Sequence, residues 1–114
     1  MIGKNKIPLI FYNREGGHMG TWMKEVNGEN KGDIELYALS TCIFCMRTKR
    51  LLDKLGVAYR YVDVDELDSG DQDIAVAQMR EHNPSGGFPT IIINGTVIQG
   101  YKEDQIKEAL DHAA

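Results

Sequence analysis

The sequence has few cysteines that could cross-link the chain, no long apolar run that could anchor it in a membrane, and no excess of positive charge that would attract a polyanion. It contains only two cysteines in 114 residues, too few for a disulfide scaffold, and a chain of this length can bury a core without one. No apolar run approaches the roughly 20 residues that a membrane span needs. The formal net charge is -4, which gives no electrostatic reason to expect nucleic acid as a partner. The composition predicts a soluble, cytoplasmic protein.

Strand and helix signals alternate regularly through the last 80 or so residues. An Asn94-Gly95 pair between two β-branched runs is typical of a tight hairpin turn, because both residues tolerate positive φ. The strand-helix-strand order at the start favours a right-handed parallel connection. We place Leu55 on the apolar face of the first helix and Asp71 at the cap of the second. The predicted order is β-α-β-α-β-β-α, with strands at 34–39 and 58–64, helices at 42–55, 72–81 and 104–113, and the hairpin within "PTIIINGTVIQG".

The first part of the chain differs in character from the rest. We predict strands at Ile7–Tyr12 and Thr21–Val26, joined through the Gly-rich "REGGHMG", with "NGENKG" as a linker. Residues 1–31 are therefore interpreted as an N-terminal extension carrying an added β-hairpin, and residues 32–114 as the main domain. Trp22, within the extension, is expected to pack in a core.

Cys42 and Cys45, the two cysteines, are separated by two residues at the start of the first predicted helix. The first turn of a helix offers unpaired N–H groups and the positive end of the helix dipole, which favour a thiolate at Cys42. Cys45 lies on the buried stripe of the same helix. The positions predict that Cys42 attacks a disulfide first and that Cys45 resolves the mixed disulfide. Among the nearby basic residues, Lys49 lies closest to Cys42 in wheel angle. It is interpreted either as a substrate contact or as part of a solvated basic face.

Other uses of the cysteine pair stay open at this point. A structural zinc site needs four ligands, and His18, His82 and His112 are dispersed along the sequence. An iron-sulfur cluster shared between two chains needs no histidine and is the main alternative. A further hypothesis is that the two cysteines are buried and inert. Another is that the chain is an interaction module whose extension binds a partner.

Over roughly residues 33–114 the sequence resembles the glutaredoxins and related thioredoxin-fold redoxins. The matching features are a strand leading into "TCIFC", a Phe88-Pro89 step before a strand, the "IIINGTVI" hairpin, and "GYKED" opening the last helix. The resemblance implies an α/β thioredoxin fold, with a four-stranded mixed sheet flanked by three helices and a cis Pro89 facing the cysteine pair. It also implies that the Phe88 backbone pairs with a substrate strand, and that Gly100 and Tyr101 contribute to substrate binding.

Three departures from typical glutaredoxins concern the reductant. Leu39 stands where many of them have a lysine, Gly87 replaces a threonine, and Gly100–Asp104 replaces a Gly-Gly and Asp-Asp pattern. These differences favour redoxins that take electrons from a thioredoxin reductase, with glutathione as the other candidate co-substrate. The resemblance thus implies a monomeric dithiol-disulfide oxidoreductase that acts on protein disulfides and has no tightly bound cofactor.

Overall fold

The computed structural model describes residues 22–112. Within that range it has a five-stranded mixed sheet, three α-helices and one short 3-10 helix. None of these helices is both long and apolar enough to cross a membrane. The strands are β1 (Lys24–Val26), β2 (Ile34–Ala38), β3 (Tyr59–Asp63), β4 (Thr90–Ile93) and β5 (Thr96–Gln99); the α-helices are α1 (Ile43–Leu55), α2 (Ser69–His82) and α3 (Glu103–Asp111), and the 3-10 helix is Val64–Glu66.

The strand order in the sheet is β1-β3-β2-β4-β5. Strands β2 and β3 are parallel, as the crossover through α1 requires, and every other neighbouring pair is antiparallel. Tyr37 is paired with Thr90, and Thr90 with Gln99. Ala38 is paired with Asp63. The last residues of β2, β3 and β5 and the first residue of β4 therefore lie at one end of the sheet.

This register brings distant segments of the chain to the same place. Cys42 follows the end of β2 by four residues, and Pro89 directly precedes β4. Because β2 and β4 are antiparallel neighbours, the turn before Cys42 and the loop before Thr90 emerge at the same end. The sheet thereby positions the cysteine pair beside the Phe88-Pro89 step.

Two apolar clusters cover the two faces of the sheet, because side chains alternate along each strand. Helices α1 and α3 pack on one face, and α2 packs on the other. The first cluster comprises Ile34, Leu36, Ala38, Cys45, Leu51, Leu52, Val57, Tyr59, Ile91, Ile93, Ile98, Ile106 and Leu110. The second comprises Met23, Tyr37, Val62, Val64, Ala75, Met79 and Ile92, with Trp22 packed against it as expected.

The sheet contains one strand more than the four predicted. Strand β1 covers the second half of the strand predicted at Thr21–Val26, and it pairs antiparallel with β3 to become the edge strand of the sheet. It thereby extends the sheet of the main domain. The other predicted hairpin strand, Ile7–Tyr12, lies outside the described residues, as does the tip of the hairpin. The proposed boundary at residues 31 and 32 stays a prediction.

Some local details differ from the sequence-based expectation. The predicted cap of α2 was wrong: the helix begins earlier, and Asp68 caps it by accepting a hydrogen bond from the N–H of Asp71 at 2.9 Å. Leu55, expected on the apolar face of α1, is 37% exposed because the helix ends there. The "NGENKG" segment is tied to the domain, since Glu29 exchanges backbone hydrogen bonds with Gly56 and Ala58.

The hairpin turn was predicted correctly. Asn94 and Gly95 both have positive φ, 49° and 90°, as a two-residue turn of this type requires. Asn94 also accepts a hydrogen bond from the N–H of Asp33 at 2.8 Å and donates one to the Lys31 carbonyl at 2.9 Å. The turn thus anchors the segment that leads into β2.

Candidate active site

Cys42 is the N-cap residue of α1, with extended backbone dihedrals of φ -87° and ψ 119°. Its Sγ accepts a hydrogen bond from the backbone N–H of Cys45 at 3.2 Å. The N–H of Cys42 donates to the Leu39 carbonyl at 3.2 Å, which closes the turn between β2 and the helix. The sulfur thus occupies the place where a helix offers its unpaired backbone donors.

Cys45 lies one turn further along α1 and is fully buried in the first cluster. Burial is the largest cause that raises the pKa of the Cys45 thiol, and its hydrogen bond to Cys42 acts in the same direction; together they bring the pKa to about 12. The Leu39 N–H approaches the Cys45 Sγ at 3.5 Å and acts in the opposite direction. Both cysteines are free thiols here. The two sulfurs therefore differ in environment: one is accessible at the helix end, and the other is a buried thiol that retains its proton.

Asp65 fixes the turn immediately before Cys42. Its carboxylate accepts hydrogen bonds from the Ser40 N–H at 2.8 Å and from the Ser40 hydroxyl at 2.5 Å. These two bonds hold the pKa of the Asp65 carboxyl below its usual value. This contact was not predicted from the sequence, in which Asp65 is one of several acidic residues in a run with no distinguishing motif. The run directly follows β3, the parallel neighbour of β2, and that topology was the available signal.

The Phe88–Pro89 peptide bond is cis, the geometry implied by the resemblance. Phe88 is half-buried and packs against both apolar clusters. Within residues 22–112, neither its N–H nor its carbonyl has a hydrogen-bond partner. A backbone segment with both groups free can accept an added strand.

Hydrogen bonds from buried side chains hold the loop that carries Phe88. The Thr90 hydroxyl donates to the Gly87 carbonyl at 2.6 Å, and the Asn83 amide donates to the Thr90 hydroxyl at 2.9 Å. Thr90 is fully buried and Asn83 nearly so. A buried polar pair of this kind is stable only when its groups are satisfied, so the loop geometry is tightly constrained.

Gly100 and Tyr101 lie at the same end of the sheet, beyond β5. The Gly100 N–H donates to the Pro89 carbonyl at 2.8 Å, which connects the two segments directly. Tyr101 packs against the first cluster, as does Cys42, and its hydroxyl donates to Glu103 at 3.1 Å. Both residues are thus near the Phe88-Pro89 step, and their role in binding stays a prediction.

The ammonium group of Lys49 has a partner other than the cysteines. It contacts both carboxylate oxygens of Asp63, at 2.8 and 3.1 Å, and lies 4.5 Å from the centre of the Tyr61 ring. The pair is largely buried, with 22% of the Lys49 side chain and 10% of the Asp63 side chain exposed. Lys49 therefore helps to join α1 to β3, and its role in substrate binding stays a prediction.

Three large apolar side chains within four residues of Cys42, on the first turn of α1, are exposed. Ile43 is 59% exposed, Phe44 54% and Met46 39%. The guanidinium carbon of Arg47 lies 5.6 Å from the centre of the Phe44 ring. We call Ile43, Phe44 and Met46 the apolar collar. Large apolar side chains exposed together beside a reactive group are typical of a binding surface.

Among residues 22–112, no three His, Cys, Asp or Glu side chains are grouped so that they could hold a metal ion.

Comparison with known proteins places this geometry in a family. The sequence model of the glutaredoxin family matches residues 34–98. Glutaredoxin 1 of Rickettsia bellii is 40% identical over 68 residues, which cover 59% of this chain and 67% of the relative. The crystal structure of the Methanosarcina mazei glutaredoxin is 45% identical, with a TM-score of 0.71 over 77% of this chain and 86% of that one.

A second solved structure agrees with the first. Methanoredoxin of Methanosarcina acetivorans is 48% identical, with a TM-score of 0.71 over 73% of this chain and 88% of that one. The strand and helix order is that of the thioredoxin-like fold, to which β1 adds an edge strand. The chain belongs to the glutaredoxin family of thiol-disulfide oxidoreductases.

Proposed function

We propose that this chain reduces disulfides in proteins, with Cys42 as the nucleophile and Cys45 as the resolving thiol. The observation that carries the proposal is the difference between the two sulfurs. The Cys42 Sγ accepts the Cys45 N–H at the start of α1, at 3.2 Å, whereas Cys45 is buried and holds its proton. An exposed thiolate attacks, and a buried thiol within reach completes the exchange.

The reaction proceeds in two exchanges. The Cys42 thiolate attacks one sulfur of the substrate disulfide, forms a mixed disulfide, and releases the other sulfur as a thiolate that takes a proton from water. Cys45 then attacks the Cys42 sulfur while its proton passes through water to the departing substrate sulfur; the bond between Cys42 and the substrate breaks, the Cys42–Cys45 disulfide forms, and the second substrate thiol is released. The substrate gains two electrons and two protons, and the dithiol loses them. An external reductant restores the dithiol.

Two features support a protein as the substrate. The apolar collar beside Cys42 can bury apolar side chains of a partner, which a small charged thiol lacks. The free N–H and carbonyl of Phe88 can pair with an extended segment of that partner. Gly100 and Tyr101 lie next to this backbone and complete the proposed binding surface.

A thioredoxin reductase is the reductant that we propose, with glutathione as the alternative. Leu39 supplies no positive charge for a glutathione carboxylate, and its side chain packs against the second cluster. Lys49 is already paired with Asp63. A monomeric protein in the reducing cytoplasm is part of the same proposal.

The proposal is tested by coupling NADPH oxidation to the reduction of a disulfide-containing protein such as insulin. One arm contains thioredoxin reductase, and the other contains glutathione with its reductase. We expect turnover in the first arm. Turnover in the second arm alone would overturn the choice of reductant, and failure of the reduced protein to reduce any disulfide in a single turnover would overturn the function itself.

A further inference from the structure

The side chain of Gln99 lies directly in front of Gly87, in the loop that carries Phe88. A Cβ at position 87 would lie 2.5 Å from Nε2 of Gln99 and 2.9 Å from its Cδ, closer than non-bonded atoms approach. Gln99 therefore occupies the space that any side chain at position 87 would need. The glycine at 87 and the glutamine at 99 form a matched pair beside the proposed substrate-binding backbone.

The hydrogen bonds around Gln99 determine which end of its amide faces outward. A carbonyl can only accept, so the Thr90 hydroxyl donates to the Gly87 carbonyl at 2.6 Å. The Thr90 oxygen is then the acceptor for the Asn83 Nδ2 at 2.9 Å. The same Nδ2 lies 2.7 Å from the atom of the Gln99 amide that faces Asn83. Because Nδ2 is a donor, this atom must be the acceptor Oε1.

The Ser85 Oγ lies 2.5 Å from this oxygen and 2.7 Å from the Asn83 Oδ1, and its one proton is shared between these two acceptors. The Asn83 donor alone determines which end of the Gln99 amide faces inward. Its Nε2 donor has no acceptor among residues 22–112, and Gln99 is exposed. A preorganised donor of this kind can bind a ligand at low entropic cost, because little side-chain freedom remains to be lost on binding.

We propose that Gln99 is a substrate-binding residue whose Nε2 donates a hydrogen bond to an oxygen of the substrate lying along Gly87 and Phe88. The acceptor is a peptide carbonyl or a carboxylate oxygen. This inference rests on the proposed function and names a specificity determinant for it. Gln99 is the last residue of β5 and is paired with Thr90, the first residue after Pro89. It therefore lies beside the segment along which a substrate strand would run.

The test uses the full-length protein, reduced beforehand, in single-turnover reactions with three disulfides. The first is a cystine peptide with blocked termini, which has carbonyls and no carboxylates. The second is oxidised glutathione, which has both. The third is bis(2-hydroxyethyl) disulfide, which has neither. The dependence of the rate on disulfide concentration gives a half-saturating concentration and a maximal rate for each.

Two variants remove the donor in different ways. Gln99→Glu keeps an oxygen that faces Asn83 and Ser85 and replaces the outward NH2 with a carboxylate oxygen. Gln99→Met removes the donor without adding charge. We expect both to raise the half-saturating concentration of the blocked peptide about 3- to 10-fold, the worth of one hydrogen bond. The maximal rate and the reaction with bis(2-hydroxyethyl) disulfide should change less than about twofold. Gln105→Glu, on the exposed face of α3, is the matched charge control and should behave as wild type.

The outcomes separate this inference from the proposed function. If both variants weaken binding of oxidised glutathione and not of the blocked peptide, the donor is confirmed and its acceptor is a carboxylate. If only Gln99→Glu has an effect, or if all three disulfides are affected equally, the inference is overturned while the function stands. If the wild-type protein reduces none of the three disulfides, the proposed function is overturned, and the inference that rests on it is overturned with it.

Discussion

The backbone N–H of Cys45 donates a hydrogen bond to the Sγ of Cys42 at 3.2 Å. Cys45 thus supplies the partly buried Cys42 sulfur with a donor through its backbone, and its side chain is the thiol that we propose resolves the mixed disulfide. Because Cys45 is fully buried and Cys42 is not, the two thiols of one helical turn have different accessibility. The proposed order of their reactions rests on this difference.

Alkylation should therefore distinguish the two thiols. With one equivalent of iodoacetamide added to the reduced, folded protein at neutral pH, we expect the label on Cys42 and essentially none on Cys45, because a buried protonated thiol is a poor nucleophile. Peptide mass spectrometry after digestion measures the distribution. Denatured protein serves as the control and should be labelled at both positions. Preferential labelling of Cys45 in the folded protein would contradict the assigned roles.

The raised pKa of Cys45 predicts that the stability of the reduced protein depends on pH. A folded-state pKa of about 12 lies above the unfolded value of about 8.5, so the folded state holds the proton more tightly. The contribution is present in full below about pH 8.5 and is lost as the pH rises towards the folded value. We expect the free energy of unfolding to fall between pH 8 and pH 9.5, as measured by urea denaturation with a non-thiol reductant.

The matched control for this pH dependence is Cys45→Ala, which should show a smaller fall over the same interval. Measurements stop below pH 10 because burial also raises the pKa values of Tyr37 and Tyr59, and these tyrosines would add the same trend at higher pH. Equal pH dependence in the variant and the wild type would show that Cys45 does not carry the effect.

The ion pair between Lys49 and Asp63 is expected to stabilise the fold. Asp63→Asn leaves a largely buried ammonium without its charged partner, so we expect a loss of about 1.5 to 3 kcal/mol in the free energy of unfolding. Asp33→Asn is the matched control at a 69% exposed carboxylate that contacts Arg60, and it should cost less than about 1 kcal/mol. Similar losses in both variants would indicate that burial does not distinguish the two pairs.

The matched pair of Gly87 and Gln99 predicts a coupling between substitutions. Gly87→Ala places a Cβ against the Gln99 amide and should displace it from Asn83, at a cost of about 1 kcal/mol. In the Gln99→Ala background, the same substitution should cost less because the opposing side chain is gone. A double-mutant cycle of unfolding free energies measures the difference. Additive effects would mean that the two residues are independent.

The sequence predicted the local structure around the two cysteines better than the contacts between distant segments. The first helix, the hairpin and the two cysteine environments depend on local patterns: apolar residues at helical spacing, an Asn-Gly turn and a helix start after a strand. Such patterns can be predicted from the sequence because each depends on only a few neighbouring residues. The extra edge strand was predicted only as half of a separate hairpin, since its pairing with β3 joins residues more than 30 positions apart.

The contacts that a single sequence could not reveal are those between side chains far apart along the chain. Ser40 with Asp65, Lys49 with Asp63, and Gln99 with Asn83 each join different elements. Lys49 was considered as a substrate contact because of its angle on the helical wheel, which takes no account of the neighbouring strand β3. Asp63 at the end of that strand competes for the same ammonium.

The most direct test of the central claim uses the variant Cys45→Ser. Without the resolving thiol, the first exchange should stop at the mixed disulfide, so a disulfide-bearing peptide should remain attached to Cys42. Intact-mass spectrometry after mixing the reduced variant with the peptide should show one added half-peptide, which dithiothreitol removes. The variant Cys42→Ser should show none, and wild-type protein should be found as the Cys42–Cys45 disulfide. A stable peptide adduct on Cys45 in the Cys42→Ser variant, with none on Cys42 in the other, would contradict the claim.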